Sequence, residues 1–263
     1  MCYSPFVQKS LKVLEADFGI APVREMFTEC ERLHDSDPRK FPDFSREQIF
    51  PGHFAPVVTK FGIEPMRYGA WPSVSIKDPG RYTTYNARIE NLDSPFWREC
   101  PEAGRGVVEV TAFLEWVEVR ILLQDRQISL GEVESLFAAK AAERRRALEK
   151  KGKPYKLSST EQKNARDRKI TILISPKENE PLFVPVVFSR HAFTQDFQGP
   201  RGGFAIITGP APAEIQRAGH DRCPLHLTLD GALEWLCEKP PLRESIGRQS
   251  NLHFVYRLES GSL

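Results

Sequence analysis

The chain has 263 residues, 40% of them hydrophobic and 27% charged, with a formal net charge of +2 at pH 7, the composition of a soluble globular protein. It holds no run approaching the roughly 18 apolar residues of a membrane helix, and its start, MCYSPFVQKS, lacks the basic-then-apolar order of a signal peptide. No membrane contact and a cytoplasmic location are therefore expected, while the near-neutral charge neither demands nor excludes a polyanionic partner.

At the N-terminus, Cys2 directly follows Met1 and is small enough for Met1 to be removed. The chain would then start with a 1,2-aminothiol. Its amine titrates near pH 8 and its thiol near 8.5. The amine can form an imine with an aldehyde, and the thiol can close that imine to a thiazolidine. The same terminus can also attack an acyl carbon.

Further along, Leu11, Leu14 and Phe18 recur at helical spacing, and Gly19 and Pro22 break that helix. Residues 30–47 are polar, carry Pro38 and Pro42, and read as a surface loop. From Phe54 the pattern turns β-like through FAPVVTKFG, EPMRYGAWP and YNARIE, and GVVEVTAFLEWVEVRILL suits buried strands. Ser129 with Glu132 forms a capping box that opens a helix to about Lys150, ended by Gly152 and Pro154. Beyond Lys140 the segment is strongly basic. It reads either as a solvated helical insertion with a mobile tail or as an arm that binds phosphates. Strands follow at KITILIS, LFVPVVFS and Ala205–Ile207. A helix is expected from Thr208 or Pro210 to near Gly219, and another in LTLDGALEWL with Leu229, Leu233 and Leu236 on one face. The whole is an α+β chain, a single domain over 1–263 with a basic helical insertion at about 129–169.

Several short stretches carry polar groups suited to chemistry. Asn86 and Arg88 share one face of a strand. They either hold an oxyanion or phosphate, or simply face water. Glu115 lies inside an apolar run, on the solvent face of an edge strand or in a cavity where a raised pKa would suit acid/base work. His220 follows a helix-ending glycine and precedes Asp221 and Arg222. Tyr68 and Trp71 are placed to stack on bases or to pack in the core. The five cysteines are odd in number and form no CxxC pair, which argues against a disulfide framework or a zinc site. With no HExxH, no GxSxG, no phosphate-binding GxxxxGK[ST] loop and no GxGxxG after a strand, neither a metal nor a cofactor is expected.

In order, the N-terminal MC, Ala55–Pro56, YGAWP, NARIE, FLEW and HDRCP resemble the SOS-response-associated peptidase (SRAP) family, from Cys2 to about Leu236 with the basic insertion between. The resemblance implies a mixed, barrel-like β core flanked by helices. It also implies a sensor of abasic sites in single-stranded DNA during the DNA damage response. Cys2 would form a thiazolidine crosslink with the sugar aldehyde, with self-processing and weak lyase activity besides. Asn86 would position Cys2 and the sugar, Glu115 would move protons, and His220 would assist ring opening or β-elimination. Arg88 and Arg222 would hold phosphates, and Pro56, Tyr68 and Trp71 would contact DNA. The implied partner is single-stranded DNA containing abasic sites, bound by a monomer that associates with the nucleoid when on DNA.

The chain departs from the family where Tyr3 and Ser4 replace a Gly-Arg pair, where Ser73 and Val74 stand in place of a usual Trp, and at His53 in place of a frequent Asn. Two other readings stay open. One is an N-terminal cysteine peptidase or amidohydrolase with Asn86 as oxyanion donor. The other is a non-catalytic single-strand binder.

Overall fold

The computed structural model describes residues 4–38, 41, 44–70, 84–98, 104–190, 202–237 and 249–259. Cys2, Tyr3, Trp71, Ser73 and Val74, to which the sequence assigns roles or departures, lie outside the described residues.

The centre of the fold is a closed ring of five strands. Strand β2 (Phe54–Thr59) pairs antiparallel with β3 (Gly62–Tyr68), and β5 (Gly104–Glu118) pairs with β2 and with β7 (Leu182–Arg190). β8 (Gly202–Pro210) pairs antiparallel with β7 and parallel with β3, which closes the circle. The mixed, barrel-like core expected of an α+β chain is therefore present.

Consecutive residues of these strands feed two cores, as period-two alternation requires. Val57, Val108, Val186 and Ile206 fill the barrel, while their neighbours Val58, Val107, Val187 and Ile207 face an outer layer. The outer layer is covered by α1 (Leu11–Phe18) and α7 (Leu229–Cys237), through Leu14 and Phe18 of the first and Ala232, Trp235 and Leu236 of the second. Burial on both faces explains the near-continuous apolar strand sequences. Close packing also fixes one glycine: a Cβ on Gly106 would lie 2.6 Å from Val57 Cγ1.

β5 is 15 residues long, about 50 Å at a strand's rise per residue. Its first half belongs to the ring. Its second half leaves it and pairs with β1 (Ser4–Val7) on one side and β6 (Lys169–Pro176) on the other. β10 (Phe254–Leu258) extends the sheet beyond β6. At the opposite flank, β8 also carries the short β4 (Asn86–Arg88) and β9 (Arg222–Pro224).

Several expectations need correction. The span read as a loop from residue 30 belongs partly to α2 (Arg24–Ser36), which buries Phe27, Cys30 and Leu33 at helical spacing beneath an otherwise polar surface. β8 runs on through Pro210, so α6 starts only at Ala213 and ends at Arg217. α5 (Leu130–Glu149) is present with both halves of its capping box. The segment after it is not a loose tail: Arg144, Tyr155 and the Ser158 backbone N–H all donate to the Glu161 carboxylate. Arg168 then lies over the Phe137 ring of α5, 4.8 Å from its centroid. Among the described residues, no helix is long and apolar enough to cross a membrane.

A buried carboxyl–imidazole pair as candidate functional site

Phe113, Glu115 and Val117 alternate onto the buried face of β5, so Glu115 takes a place its sequence neighbours give to apolar side chains. It is 1% exposed. The solvent-face alternative fails because β6 pairs with β5 here, with Glu115 opposite Ile172, and the face that carries Glu115 is the one on which Phe113, Val117 and Ile172 are buried. Burial pushes the Glu115 carboxyl up to about 8, and the Asp221 carboxylate adds to the rise.

His220 reaches this carboxyl from the turn after α6. Its Nε2 lies 3.2 Å from Glu115 Oε2, and its Nδ1 lies 2.6 Å from the Arg222 carbonyl oxygen. A carbonyl only accepts, so Nδ1 carries a proton and donates it there. Nε2 of the neutral ring is then an acceptor, and the contact closes when Glu115 is protonated. The shifts agree in direction: burial holds His220 below its ordinary value while it raises Glu115. Both directions favour a neutral pair, with Glu115 as the donor, over a salt bridge.

Gly219 makes the turn possible. Its φ of +99° favours glycine, and a Cβ there would lie 3.1 Å from Ile121 Cγ2. Gly219→Ala is expected to cost about 1–3 kcal/mol and to displace His220, which urea unfolding and a His220 NMR titration would both register. An unchanged midpoint would show that the turn tolerates a side chain.

Arg222 is held by a carboxylate rather than standing open. Its Nη1 and Nη2 donate to Glu90 Oε1 and Oε2 at 3.0 and 2.9 Å, and Nη2 also donates to the Thr208 carbonyl oxygen at 2.8 Å. This two-pronged contact ties the NARIE stretch to the HDRCP turn and fixes the backbone carbonyl that orients His220. Sequence reasoning assigns Glu90 no role, although it recurs at the same spacing as Asn86 and Arg88.

Asn86 is half-buried and Arg88 exposed, on either side of fully buried Ala87, opposite Ile206 and Thr208 of β8. Pro56 is buried within β2 opposite Pro65. Tyr68 is 1% exposed and stacks on Phe204 at 5.3 Å between centroids, so its ring faces the core. Ser4 is fully buried, donates to the Ile49 carbonyl oxygen at 2.8 Å and accepts from Gln48. A long cation would not fit there without breaking those bonds. Burial pushes the thiols of Cys30 and Cys223 up to about 12, which leaves both poor nucleophiles near pH 7. Among the described residues, no cluster of three or more His, Cys, Asp or Glu side chains could hold a metal.

The family model for SOS response associated peptidase (SRAP) matches residues 15–253. The chain belongs to this family. No curated protein matches it. Solved structures share the fold at low identity, among them the following three. A protein from Bacteroides thetaiotaomicron has a TM-score of 0.61 at 14% identity, covering 98% of this chain and 91% of its own. A protein from Bordetella bronchiseptica has a TM-score of 0.58 at 10% identity, covering 98% and 99%. A phage-related protein from the same organism has a TM-score of 0.52 at 14% identity, covering 98% and 93%. Membership of the SRAP family supports a role associated with DNA damage and abasic sites, with DNA as the partner.

Proposed function

We propose that this SRAP chain links covalently to abasic sites in single-stranded DNA through Cys2 once Met1 has been removed. The observation that carries the reading is the buried Glu115 carboxyl, its Oε2 3.2 Å from His220 Nε2, beside the strand that leads to the N-terminus. Ser4 pairs with Leu114, the residue before Glu115. Two residues of chain span at most about 7 Å, so Cys2 is tethered within that distance of Ser4.

The chemistry then balances around one proton. The Cys2 amine adds to the aldehyde carbon of the ring-opened sugar and gives a carbinolamine. Glu115 donates its proton to the hydroxyl, which leaves as water, and an iminium forms. The Cys2 sulfur adds to the iminium carbon, the thiol proton returns to Glu115, and the thiazolidine is complete. In the preceding ring opening, His220 Nε2 turns from Glu115 to the sugar, takes the proton of the anomeric hydroxyl as the bond from the anomeric carbon to the ring oxygen breaks, and returns it to that oxygen, which leaves as the 4'-hydroxyl. Asn86 orients the sugar, and Arg88 binds a flanking phosphate from its exposed position. Arg222 acts through Glu90 and its own carbonyl to hold the His220 tautomer.

The test is a single-stranded oligonucleotide carrying one abasic site, run on a denaturing gel after incubation. A heat-stable shifted band that is absent with Cys2→Ala is the expected result. A band that persists in that variant, or no band from protein whose mass confirms loss of Met1, would overturn the reading.

A further inference from the structure

Glu115 and Trp116 point to opposite faces of β5. Glu115 is buried, whereas Trp116 is 42% exposed, one of few large apolar side chains at the surface among the described residues. Trp116 lines a pocket of about 550 Å³ between the end of the β5–β6 ladder and the last turn of the basic insertion. Lys163, Arg166 and Lys169 stand exposed around it. Of the two acids on the rim, Glu118 is already paired with Arg120 at 2.7 Å, which leaves Asp167 to oppose the basic groups. Arg168 is spent on structure, donating to the carbonyl oxygens of Lys163 and Glu161, and so holds the turn that presents its neighbours.

We infer that this pocket binds single-stranded DNA flanking the reactive nucleotide, with one base stacked on Trp116 and the adjoining phosphates on Lys163, Arg166 and Lys169. An aromatic face inside a ring of cations is the arrangement that holds a single strand without reading its sequence. The size suits one nucleotide, lying within the usual range of ligand pockets. Its position suits a flanking contact, because Lys169 lies opposite Glu118 on the β5–β6 ladder that also carries Glu115, three residues further back on β5. The chain's additional segment thereby supplies a platform around the corner of the strand from the chemistry. The inference rests on the proposed use of single-stranded DNA, but not on the crosslink itself.

The test uses the full chain and unmodified oligonucleotides, which contain no aldehyde, with fluorescence anisotropy as the readout. Trp116→Ala should weaken binding of a single-stranded 15-mer by about tenfold, and Trp116→Phe should restore most of it. Lys163→Gln combined with Arg166→Gln should reduce the slope of log affinity against log salt by about 1.4, at about 0.7 for each phosphate no longer neutralised. Urea midpoints matching the parent protein exclude misfolding as the cause. Unchanged 15-mer binding in both variants, or equal losses on duplex DNA, would overturn the proposal. Because no abasic site is involved, a missing Cys2-dependent band would count against the crosslink and not against this pocket.

Discussion

On the proposed mechanism Glu115→Gln is expected to slow crosslink formation by about 100-fold or more, the usual contribution of a positioned acid/base group, and to make the protein more stable at alkaline pH. The second effect follows from the direction of the shift. Glu115 keeps its proton in the folded state up to about pH 8, whereas in the unfolded chain it gives it up near 4.5. The folded-state pKa is raised, so the stability it confers is whole below pH 4.5 and is lost progressively as the pH rises from 4.5 to about 8. At about 1.4 kcal/mol per unit, the loss is on the order of 4 kcal/mol by about pH 8. Glutamine is neutral throughout and can still donate to His220 Nε2, so the variant escapes that loss. Denaturant unfolding at about pH 5, 6, 7 and 8 should show the two proteins diverging as the pH rises. Parallel curves would mean that Glu115 is ionised in the native protein. His220 works in the opposite sense: its lowered value gives stability that is present above about pH 6.5 and fades as the pH falls, and it does so in both proteins.

Trp235→Ala is expected to cost about 3–5 kcal/mol, the range for removing a large buried aromatic. Trp235 is 0% exposed and sits where α7 closes over the outer face of the barrel. Its Nε1–H donates to the Gly106 carbonyl oxygen at 2.9 Å, and the Arg105 guanidinium lies 4.6 Å from the ring centroid. Alanine would leave a cavity, a broken hydrogen bond and an arginine without its aromatic face, all against the ring strand that continues into the Glu115 segment. Trp235→Phe keeps most of the volume and should cost about 1 kcal/mol for the hydrogen bond, plus some packing. Urea unfolding measures both. Equal losses in the two variants would show that the hydrogen bond, and not the volume, anchors α7.

Features written in local pattern are legible in the sequence. The capping box at Ser129, the αL glycine after Phe18 and the long apolar block of β5 each depend on residues within a turn or a strand of one another. Glu115 stands out for the same reason, as a charge inside an apolar run. What covers it is not legible, because β1 and β6 come from distant parts of the chain. The partnership with His220 spans 105 positions (220 minus 115), and no periodicity encodes it. Arg222 and Glu90 are farther apart still, 132 positions, so a phosphate role read for Arg222 takes no account of the carboxylate already on it. α2 escapes a reading by composition because only Phe27, Cys30 and Leu33 of its surface are buried, and the polar residues between them mask the spacing. Of the two readings open for Tyr68, base stacking or core packing, local pattern cannot choose, and the burial of its strand on both faces puts the ring in the core.

The five-strand ring has a consequence for how this chain tolerates added sequence. A closed barrel must keep its strand number, tilt and stagger mutually consistent, so extra residues between two of its neighbours would have to be absorbed without changing that stagger. The basic segment enters after β5 has already left the ring and returns on β6, which is not one of the five. It hangs from an open margin of the sheet, where length and composition are free of the closure condition. Changes in the length, composition or charge of this arm are therefore expected to leave the geometry around Glu115 and His220 as it is.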